Sequence, residues 1–199
     1  MREREVHVLE IGIGGYDDPT AGGASLRMWR DYFPKGTVYG LDFHDKSNIA
    51  EDRIKVFKGS QADPRILGEI VESSPQKRFD IIIDDGSHRG EHVIFAFMAM
   101  FQFVAEGGWY AIEDTQTSYW PNHGGASDGS SGSLTVLPFF RGLIDGLNWQ
   151  EIHRPGYAPS FFDQNILSIQ FMHNMILINR GQNTAESNTL RQNRHPLFD

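Results

Sequence analysis

The chain has 199 residues, the length of a single domain that is large enough to bury a full hydrophobic core. Its net charge of −8 and the absence of a basic stripe argue against nucleic acid as a partner, because phosphate binding needs clustered cations. Cysteine is absent, which excludes disulfides, thiolate metal sites and cysteine nucleophiles, and no apolar stretch or leader suggests a membrane partner, so the cytoplasm is the expected location.

Apolar runs typical of strands alternate with helical patterns over the first part of the chain. The predicted strands are residues 6–12, 37–42, 54–57, 79–83 and 109–112. The predicted helices are residues 25–33 with Ser25 as N-cap, a helix that is capped by Asp63 and runs to about Ser73, and residues 90–104. This alternation predicts a parallel, doubly wound sheet.

The chain changes character after Asp114. Residues 115–133 are rich in Gly, Ser, Asn and Asp and lack periodicity, which favours a lid beside a site over a linker. The remaining predicted elements are a helix at residues 134–147 and a closing antiparallel hairpin of residues 165–171 and 175–178 around His173-Asn174. We therefore predict one domain over residues 1–181, followed by a polar tail at residues 182–199.

Two of the predicted strands end at a pair of acids. Ile81-Ile-Ile-Asp-Asp-Gly-Ser-His88 carries Asp85 and His88, and Ala111-Ile-Glu-Asp114 carries Glu113 and Asp114. The carboxyl ends of parallel strands share one rim, where open α/β sheets bind ligands. Packed carboxylates repel one another unless a cation separates them, and oxygen ligands suit magnesium. We expect Asp85, Glu113 and Asp114 to hold a divalent ion and His88 to act as a base toward a hydroxyl bound there.

Each of these residues also has a structural interpretation. Asp84 can end a strand or pack near a cofactor, the two acids after the fifth strand can be solvated, and His88 can be an ordinary residue at a helix N-terminus. His92 is more simply explained as structural. His123 lies in the glycine-rich segment and can contact a substrate or nothing.

A glycine-rich turn, Glu10-Ile-Gly-Ile-Gly-Gly15, follows the first strand, and Asp42 ends the second. Such glycines let the backbone approach a nucleoside, and the acid can accept hydrogen bonds from ribose hydroxyls. The turn continues into Tyr16-Asp-Asp-Pro19 rather than directly into a helix, and these acids would repel a pyrophosphate. S-adenosylmethionine, which has a cationic sulfonium and no phosphate, fits this turn better than a dinucleotide does.

Three blocks of the sequence resemble the metal-dependent macrolide-sugar O-methyltransferases of mycinamicin- and tylosin-type pathways. The blocks are Leu9-Glu-Ile-Gly-Ile-Gly-Gly-Tyr-Asp-Asp-Pro19 with Gly22-Gly-Ala-Ser-Leu-Arg-Met-Trp29, then Asp84-Asp-Gly-Ser-His88, then Glu113-Asp-Thr-Gln-Thr-Ser-Tyr-Trp-Pro121. The resemblance runs from about Val6 to Arg180. It implies a class I S-adenosylmethionine-dependent methyltransferase fold, which is Rossmann-like, with a mostly parallel seven-stranded sheet and a C-terminal antiparallel hairpin. These enzymes carry a further N-terminal domain, which this chain is expected to lack.

The resemblance also implies roles for individual residues, with S-adenosylmethionine and Mg²⁺ as cofactors. Asp85, Glu113 and Asp114 fall on metal-ligand positions, and His88 falls on the general base. The expected cofactor-binding residues are Glu10, Gly12, Gly14, Asp42, Ser60, Gln61, Asp63 and Asp84. Tyr119 and Trp120 are expected to line the substrate side.

The sequence thus predicts methylation of a sugar hydroxyl, preferably one of a vicinal diol, on a glycosylated small molecule such as a macrolide. Two adjacent oxygens can chelate one ion, which a catechol or another phenolic diol also offers, so that acceptor class stays open. A binding module that retains the cofactor pocket without turnover is the alternative outside the enzymes. The Asp17-Asp18 loop argues against a nicotinamide-dependent dehydrogenase. Homo-oligomer formation is also left open.

Overall fold

A computed structural model describes residues 2–130 and 134–187 of the chain. The strands are β1 (His7–Ile11), β2 (Thr37–Asp42), β3 (Ile54–Lys58), β4 (Phe79–Asp84), β5 (Val104–Ile112), β6 (Ile166–Met172) and β7 (Met175–Arg180). The α-helices are α1 (Ala24–Tyr32), α2 (Pro64–Ser73), α3 (Gly90–Met100), α4 (Val136–Arg141) and α5 (Phe161–Asn165). Short 3-10 helices lie at Ser47–Ile49, Phe101–Phe103, Thr115–Tyr119, Pro121–His123 and Asp145–Glu151.

The seven strands form one sheet in the order β3-β2-β1-β4-β5-β7-β6. Strands β1 to β5 are parallel, whereas β7 is antiparallel to β5 and β6 is antiparallel to β7. This confirms the predicted class I methyltransferase fold and its closing hairpin. The strand order reverses between β1 and β4, and in such sheets the crevice at that reversal is where ligands bind.

Apolar side chains cover both faces of the sheet. On β1, Leu9 and Ile11 belong to a core that includes buried residues of α2, α3 and α4. Val8, between them, belongs to a second core with Leu26 of α1. Successive strand residues point to opposite faces, so β4 likewise places Ile82 in the first core and Ile83 in the second. Asp84, the next residue on the face of Ile82, is buried.

Three of the predicted boundaries between α1 and β5 are wrong. Helix α1 begins at Ala24 with Gly23 as its N-cap, at φ 72°, so Ser25 lies inside the first turn and does not cap it. The third predicted helix ends at Met100, and β5 begins at Val104 instead of Trp109. Gly107 and Gly108 directly precede the predicted fifth strand. In the structure they lie within β5, at an irregularity where its register against β4 shifts.

Other predictions about local structure are confirmed or refined. Asp63 caps α2, since its carboxylate accepts a hydrogen bond from the backbone N–H of Arg65 at 2.9 Å. The helix predicted at residues 134–147 is shorter, because α4 ends at Arg141 and a 3-10 helix follows. Part of the predicted lid, residues 131–133, and part of the tail, residues 188–199, lie outside the described residues. None of the described helices is both long and apolar enough to cross a membrane.

Candidate metal and cofactor site

Asp85, His88 and Asp114 come together where β4 and β5 end. One ligand atom from each lies within 4.8 Å of the other two. The Nε2 atom of His88 is 3.5 Å from Oδ2 of Asp114 and 4.0 Å from Oδ1 of Asp85. The side chains of Asp85 and Asp114 are 44% and 49% exposed, so both carboxylates are open to a ligand from solvent. Two carboxylates supplemented by water or substrate oxygens form a donor set that suits magnesium.

Glu113 lies beside this cluster without joining it. Among the described residues, the set of close ligand atoms contains Asp85, His88 and Asp114 but not Glu113. Burial, and then the charges of Asp85 and Asp114, raise the pKa of Glu113. Burial, and then the charge of Asp114, raise the pKa of Asp85 to about 6. The acids therefore repel one another as expected for a cation site, and the role of Glu113 as a ligand stays a prediction.

Two members of the cluster have an unusual backbone conformation. His88 has φ 54° and Asp114 has φ 51°, both in the left-handed region that residues other than glycine rarely adopt. Such strain persists only where surrounding contacts hold it, and it is concentrated at functional sites. The carbonyl of Asp114 accepts hydrogen bonds from the N–H and the hydroxyl of Thr117, at 3.1 and 2.9 Å. Gln116 Nε2 donates to Oδ1 of Asp114 at 3.0 Å, which orients that carboxylate.

The glycine-rich turn packs directly against the turn after β4. Gly12 has φ 95°, and a Cβ atom there would lie 2.1 Å from the carbonyl oxygen of Asp85. Any other residue at position 12 would therefore push the two turns apart. Gly14 has φ 77°, and a Cβ there would have the Cα of Gly22, at 4.0 Å, as its nearest neighbour, so the space beside it is open. The turn thus joins the predicted cofactor region to the acidic cluster and leaves room for a ligand.

Two predicted cofactor-binding acids lie next to this turn. Glu10 is buried and accepts a hydrogen bond from the hydroxyl of Ser25. Asp42 accepts hydrogen bonds from the N–H of Ile13 at 2.9 Å and from that of His44 at 2.8 Å. These bonds use one lone pair on each oxygen of Asp42 and one on a single oxygen of Glu10, and they leave others for ribose hydroxyls. Both positions are compatible with the predicted contacts.

Lys46 is a buried residue that the sequence interpretation missed. Its side chain is fully buried, and its ammonium group donates to the carbonyls of Asp18 at 2.5 Å and Ala21 at 3.1 Å. The lysine thereby ties the loop that follows the glycine turn to the segment after β2. An isolated lysine in a polar loop carries no local signal of such a role.

The other predicted cofactor residues are engaged inside the protein. Asp63 caps α2 and pairs with Arg65, and the hydroxyl of Ser60 accepts from the N–H of Ala62. Gln61 and Asp84 are buried and bonded to each other. These four contacts give each side chain a structural role, and their contacts with a cofactor stay predictions.

The predicted lid segment lies next to the cluster, because the 3-10 helix Thr115–Tyr119 starts immediately after Asp114. Tyr119 and Trp120 are each 46% exposed, and the ring of Trp120 is 5.5 Å from that of His123. A cavity of about 230 Å³ is lined by Arg89, Gly90, Glu91, His123, Gly124 and Leu134. A narrower gap lined by His88, Gly90 and His123, among others, lies beside it. Neither Tyr119 nor Trp120 lines these two cavities, and their contact with an acceptor stays a prediction.

Two buried carboxyls should make the stability of the ligand-free protein fall as the pH rises. Burial raises the pKa of Glu10 and that of Asp84 each to about 7, from ordinary values of 4.5 and 3.8. The folded protein keeps these protons up to about pH 7, whereas the unfolded chain releases them near pH 4. Their stabilising contribution is complete below about pH 4 and is lost as the pH rises through about 7. We expect the melting temperature to fall by roughly 5 °C between about pH 5 and about pH 8.

Differential scanning calorimetry without added metal or cofactor measures this dependence. The variant Asp84→Asn should have a flatter profile over the same interval, because asparagine cannot bind the extra proton. A melting temperature that stays level or rises from about pH 5 to about pH 8 would contradict the raised pKa values of these two carboxyls.

Comparisons with known proteins bear on this site. No protein-family model matches the chain. The chain is 46% identical to demethylmacrocin O-methyltransferase of Streptomyces fradiae over 184 residues. This alignment covers 92% of the chain and 46% of that enzyme. The chain is 40% identical to 8-demethyl-8-(2-methoxy-alpha-L-rhamnosyl)-tetracenomycin-C 3'-O-methyltransferase of Streptomyces olivaceus, over 92% of this chain and 47% of the enzyme.

The chain is also similar to a solved structure of such an enzyme. The mycinamycin-pathway methyltransferase in complex with Mg, SAH and mycinamycin VI superposes with a TM-score of 0.85 at 43% identity, over 93% of this chain and 47% of that one. The chain is a homologue of the antibiotic-sugar O-methyltransferases. It spans about half the length of the relatives it matches.

The predicted resemblance to these enzymes is confirmed, while the individual residue roles stay predictions. His92 Nδ1 lies 3.0 Å from the hydroxyl of Ser87, a contact that is compatible with the structural role favoured for it. Phe43, which the sequence interpretation did not single out, directly follows Asp42 and is 71% exposed. An aromatic residue next to an acid that is predicted to bind ribose is a signal that the sequence does contain, because a flat apolar ring suits stacking against a base.

Proposed function

We propose that this chain catalyses S-adenosylmethionine- and Mg²⁺-dependent methylation of a sugar hydroxyl on a glycosylated natural product. The observation that carries the proposal is the Asp85, His88 and Asp114 cluster, packed directly against the glycine-rich turn. The similarity to sugar O-methyltransferases over 92% of the chain supports it. The relative solved with Mg and SAH supports the same pair of cofactors.

The donor set of the cluster fits a magnesium ion. Asp85 and Asp114 would bind it through carboxylate oxygens, with Glu113 as a third acid close by. Burial, and then the negative charge of Asp114, raise the pKa of Asp85 to about 6, and a cation bound between the two carboxylates would offset that repulsion. Bound Mg²⁺ would make a coordinated hydroxyl more acidic, and S-adenosylmethionine would supply a methyl group whose bond to sulfur breaks as the new bond to oxygen forms.

The protein's own part in the reaction is to position the groups and to accept a proton. His88 Nε2 would take the proton of the acceptor hydroxyl, and Asp114, 3.5 Å away, would stabilise the positive charge that then forms on the imidazole. Glu10, Asp42 and the open space beside Gly14 would hold the cofactor. Because methyl transfer requires in-line alignment, orientation supplies much of the rate enhancement.

The acceptor would bind on the lid side of the cluster. The cavity of about 230 Å³ near His88 is smaller than a pocket for a drug-sized ligand. It suits one sugar ring, with the aglycone outside against exposed residues such as Trp120. Arg89, Glu91 and His123 give this cavity polar groups that can bond sugar hydroxyls. A vicinal diol is the preferred acceptor, because both oxygens can bind one ion.

Calorimetric titration of S-adenosylmethionine and S-adenosylhomocysteine, with and without magnesium, is the first test. Micromolar binding would support the cofactor pocket, and labelled methyl transfer to a panel of glycosylated polyketides and catechols would then identify the acceptor class. Binding without transfer to any acceptor would favour a binding module. Absence of binding to either ligand would contradict the proposal.

A further inference from the structure

We propose that Gln61 is a positioning residue that holds the turn carrying Asp85 and His88 in its active shape. The inference rests on the proposed function, because it assumes that the turn carries a metal ligand, Asp85, and the base, His88. It replaces the predicted contact of Gln61 with a cofactor by a contact with the metal-binding turn.

The side chain of Gln61 forms a bridge between two parts of the turn. Its Nε2 donates to both carboxylate oxygens of Asp84, at 2.9 and 3.1 Å. Its Oε1 accepts a hydrogen bond from the backbone N–H of Ser87 at 2.8 Å. Gln61 is only 5% exposed and Asp84 only 1%, so water does not easily replace these bonds.

The orientation of the Gln61 amide is fixed by its partners. A flipped amide would place its NH₂ group against the N–H donor of Ser87, and its Oε1 could bond Asp84 only through the proton of that carboxyl. Tyr110 also donates its hydroxyl to Asp84 at 3.4 Å, which holds that carboxyl in place from the other side. Asp84 thus fixes the orientation of the Gln61 amide, and the Gln61 amide fixes the position of the turn at Ser87.

Gly86 completes the fit between Gln61 and the turn. A Cβ atom at position 86 would lie 2.2 Å from Oε1 of Gln61, so the glycine allows the amide to reach the N–H of Ser87. The start of the turn is anchored separately, because the N–H of Asp85 donates to the carbonyl of Ile11 at 2.8 Å. The turn is therefore held at Asp85 by β1 and at Ser87 by Gln61.

The residue after Ser87 is the strained one. His88 has φ 54°, a conformation that relaxes unless its neighbours are restrained. The bond from Gln61 restrains the residue directly before it, and the hydroxyl of Ser87 accepts a longer bond from the N–H of Arg89, at 3.4 Å, on the other side. Loss of the Gln61 bridge would release the strain and move the imidazole away from Asp114.

The test compares three variants with the unmodified protein. Gln61→Met keeps the length of the side chain and removes all three bonds. Gln61→Glu retains an acceptor for the N–H of Ser87 and can bond Asp84 only through a shared proton. Lys46→Met is the converse control, because the ammonium group of Lys46 bonds the carbonyls of Asp18 and Ala21, in the loop after the glycine-rich turn, and not the turn that carries Asp85 and His88.

We expect Gln61→Met to weaken magnesium binding about tenfold and to leave S-adenosylhomocysteine binding within about threefold, as outer-shell changes at metal sites do. At saturating magnesium, kcat should still fall while the acceptor KM stays constant, because the base is displaced. Gln61→Glu should recover part of both losses. Lys46→Met should show the reverse pattern, with weakened S-adenosylhomocysteine binding and unchanged magnesium affinity.

Hydrogen exchange of the backbone amides at residues 85–89 measures how firmly the turn is held when no ligand is bound. It should become faster in Gln61→Met and stay unchanged in Lys46→Met. Unchanged exchange or unchanged magnesium affinity in a folded Gln61→Met protein would overturn the inference. If the methionine variant does not fold, the same measurements are made on Gln61→Glu. Failure of the unmodified protein to bind both ligands, with faster exchange in Gln61→Met, would instead contradict the proposed function alone.

Discussion

The variant Asp114→Asn is expected to lose magnesium affinity by roughly 100-fold or more while S-adenosylhomocysteine still binds. Asparagine keeps the shape of the side chain but removes the charge that faces Asp85 and His88. It also tolerates the left-handed backbone at this position, φ 51°, so that the loss can be attributed to the missing charge. Calorimetric titration of both ligands measures the two effects separately.

Asp145→Asn provides the matched control, because it makes the same change of charge at an exposed position outside the cluster. Its magnesium affinity should equal that of the unmodified protein. If Asp114→Asn binds magnesium normally, the ion is held elsewhere and the metal assignment is wrong. Loss of both ligands together would point to a folding defect, which thermal unfolding can detect.

The variant His88→Asn is expected to lower kcat by roughly 10²–10⁴-fold, the usual contribution of a general base. Asparagine is again compatible with the positive φ of 54°, so the fold of the turn should be retained. Magnesium and S-adenosylhomocysteine should bind as before, since the two aspartates and the glycine turn are unchanged. The limb of the pH–rate profile that reports the base should disappear.

His92→Asn, the same substitution one helical turn away, should cost less than about tenfold if His92 only supports Ser87. A loss of tenfold or less in His88→Asn would demote His88 to a positioning role. Retention of the acidic limb of the pH profile in that variant would identify another group as the base.

Much of the fold can be predicted from the sequence because strand and helix signals there are local. β2 has the predicted bounds, Thr37–Asp42, since an apolar run ends at an acid before a polar loop. Asp63 followed by Pro64 gives the start of α2 for the same kind of reason, because both residues act within one turn. The rim shared by Asp85 and Asp114 follows from the parallel topology alone.

The adjacent acids Asp84 and Asp85 show where this reasoning stops. Side chains alternate along a strand, so Asp84 shares the face of Ile82 and is directed into the core. That alternation can be recognised in the sequence. The sequence does not indicate that Asp84 bonds Gln61, which lies 23 residues earlier in the chain. Lys46 and the irregularity at Gly107 depend in the same way on contacts between distant segments.

The left-handed backbone at position 88 also limits which residue types can serve there. Among residues other than glycine, asparagine, aspartate and histidine are the types enriched in that region. Of these three, histidine alone has a side chain that ordinarily changes its protonation between pH 5 and pH 8. Lysine and tyrosine also occur at positive φ in this chain, at Lys77 and Tyr16, but they lack that combination. The backbone torsion at position 88, φ 54°, thus favours imidazole as the group that supplies a base near neutral pH.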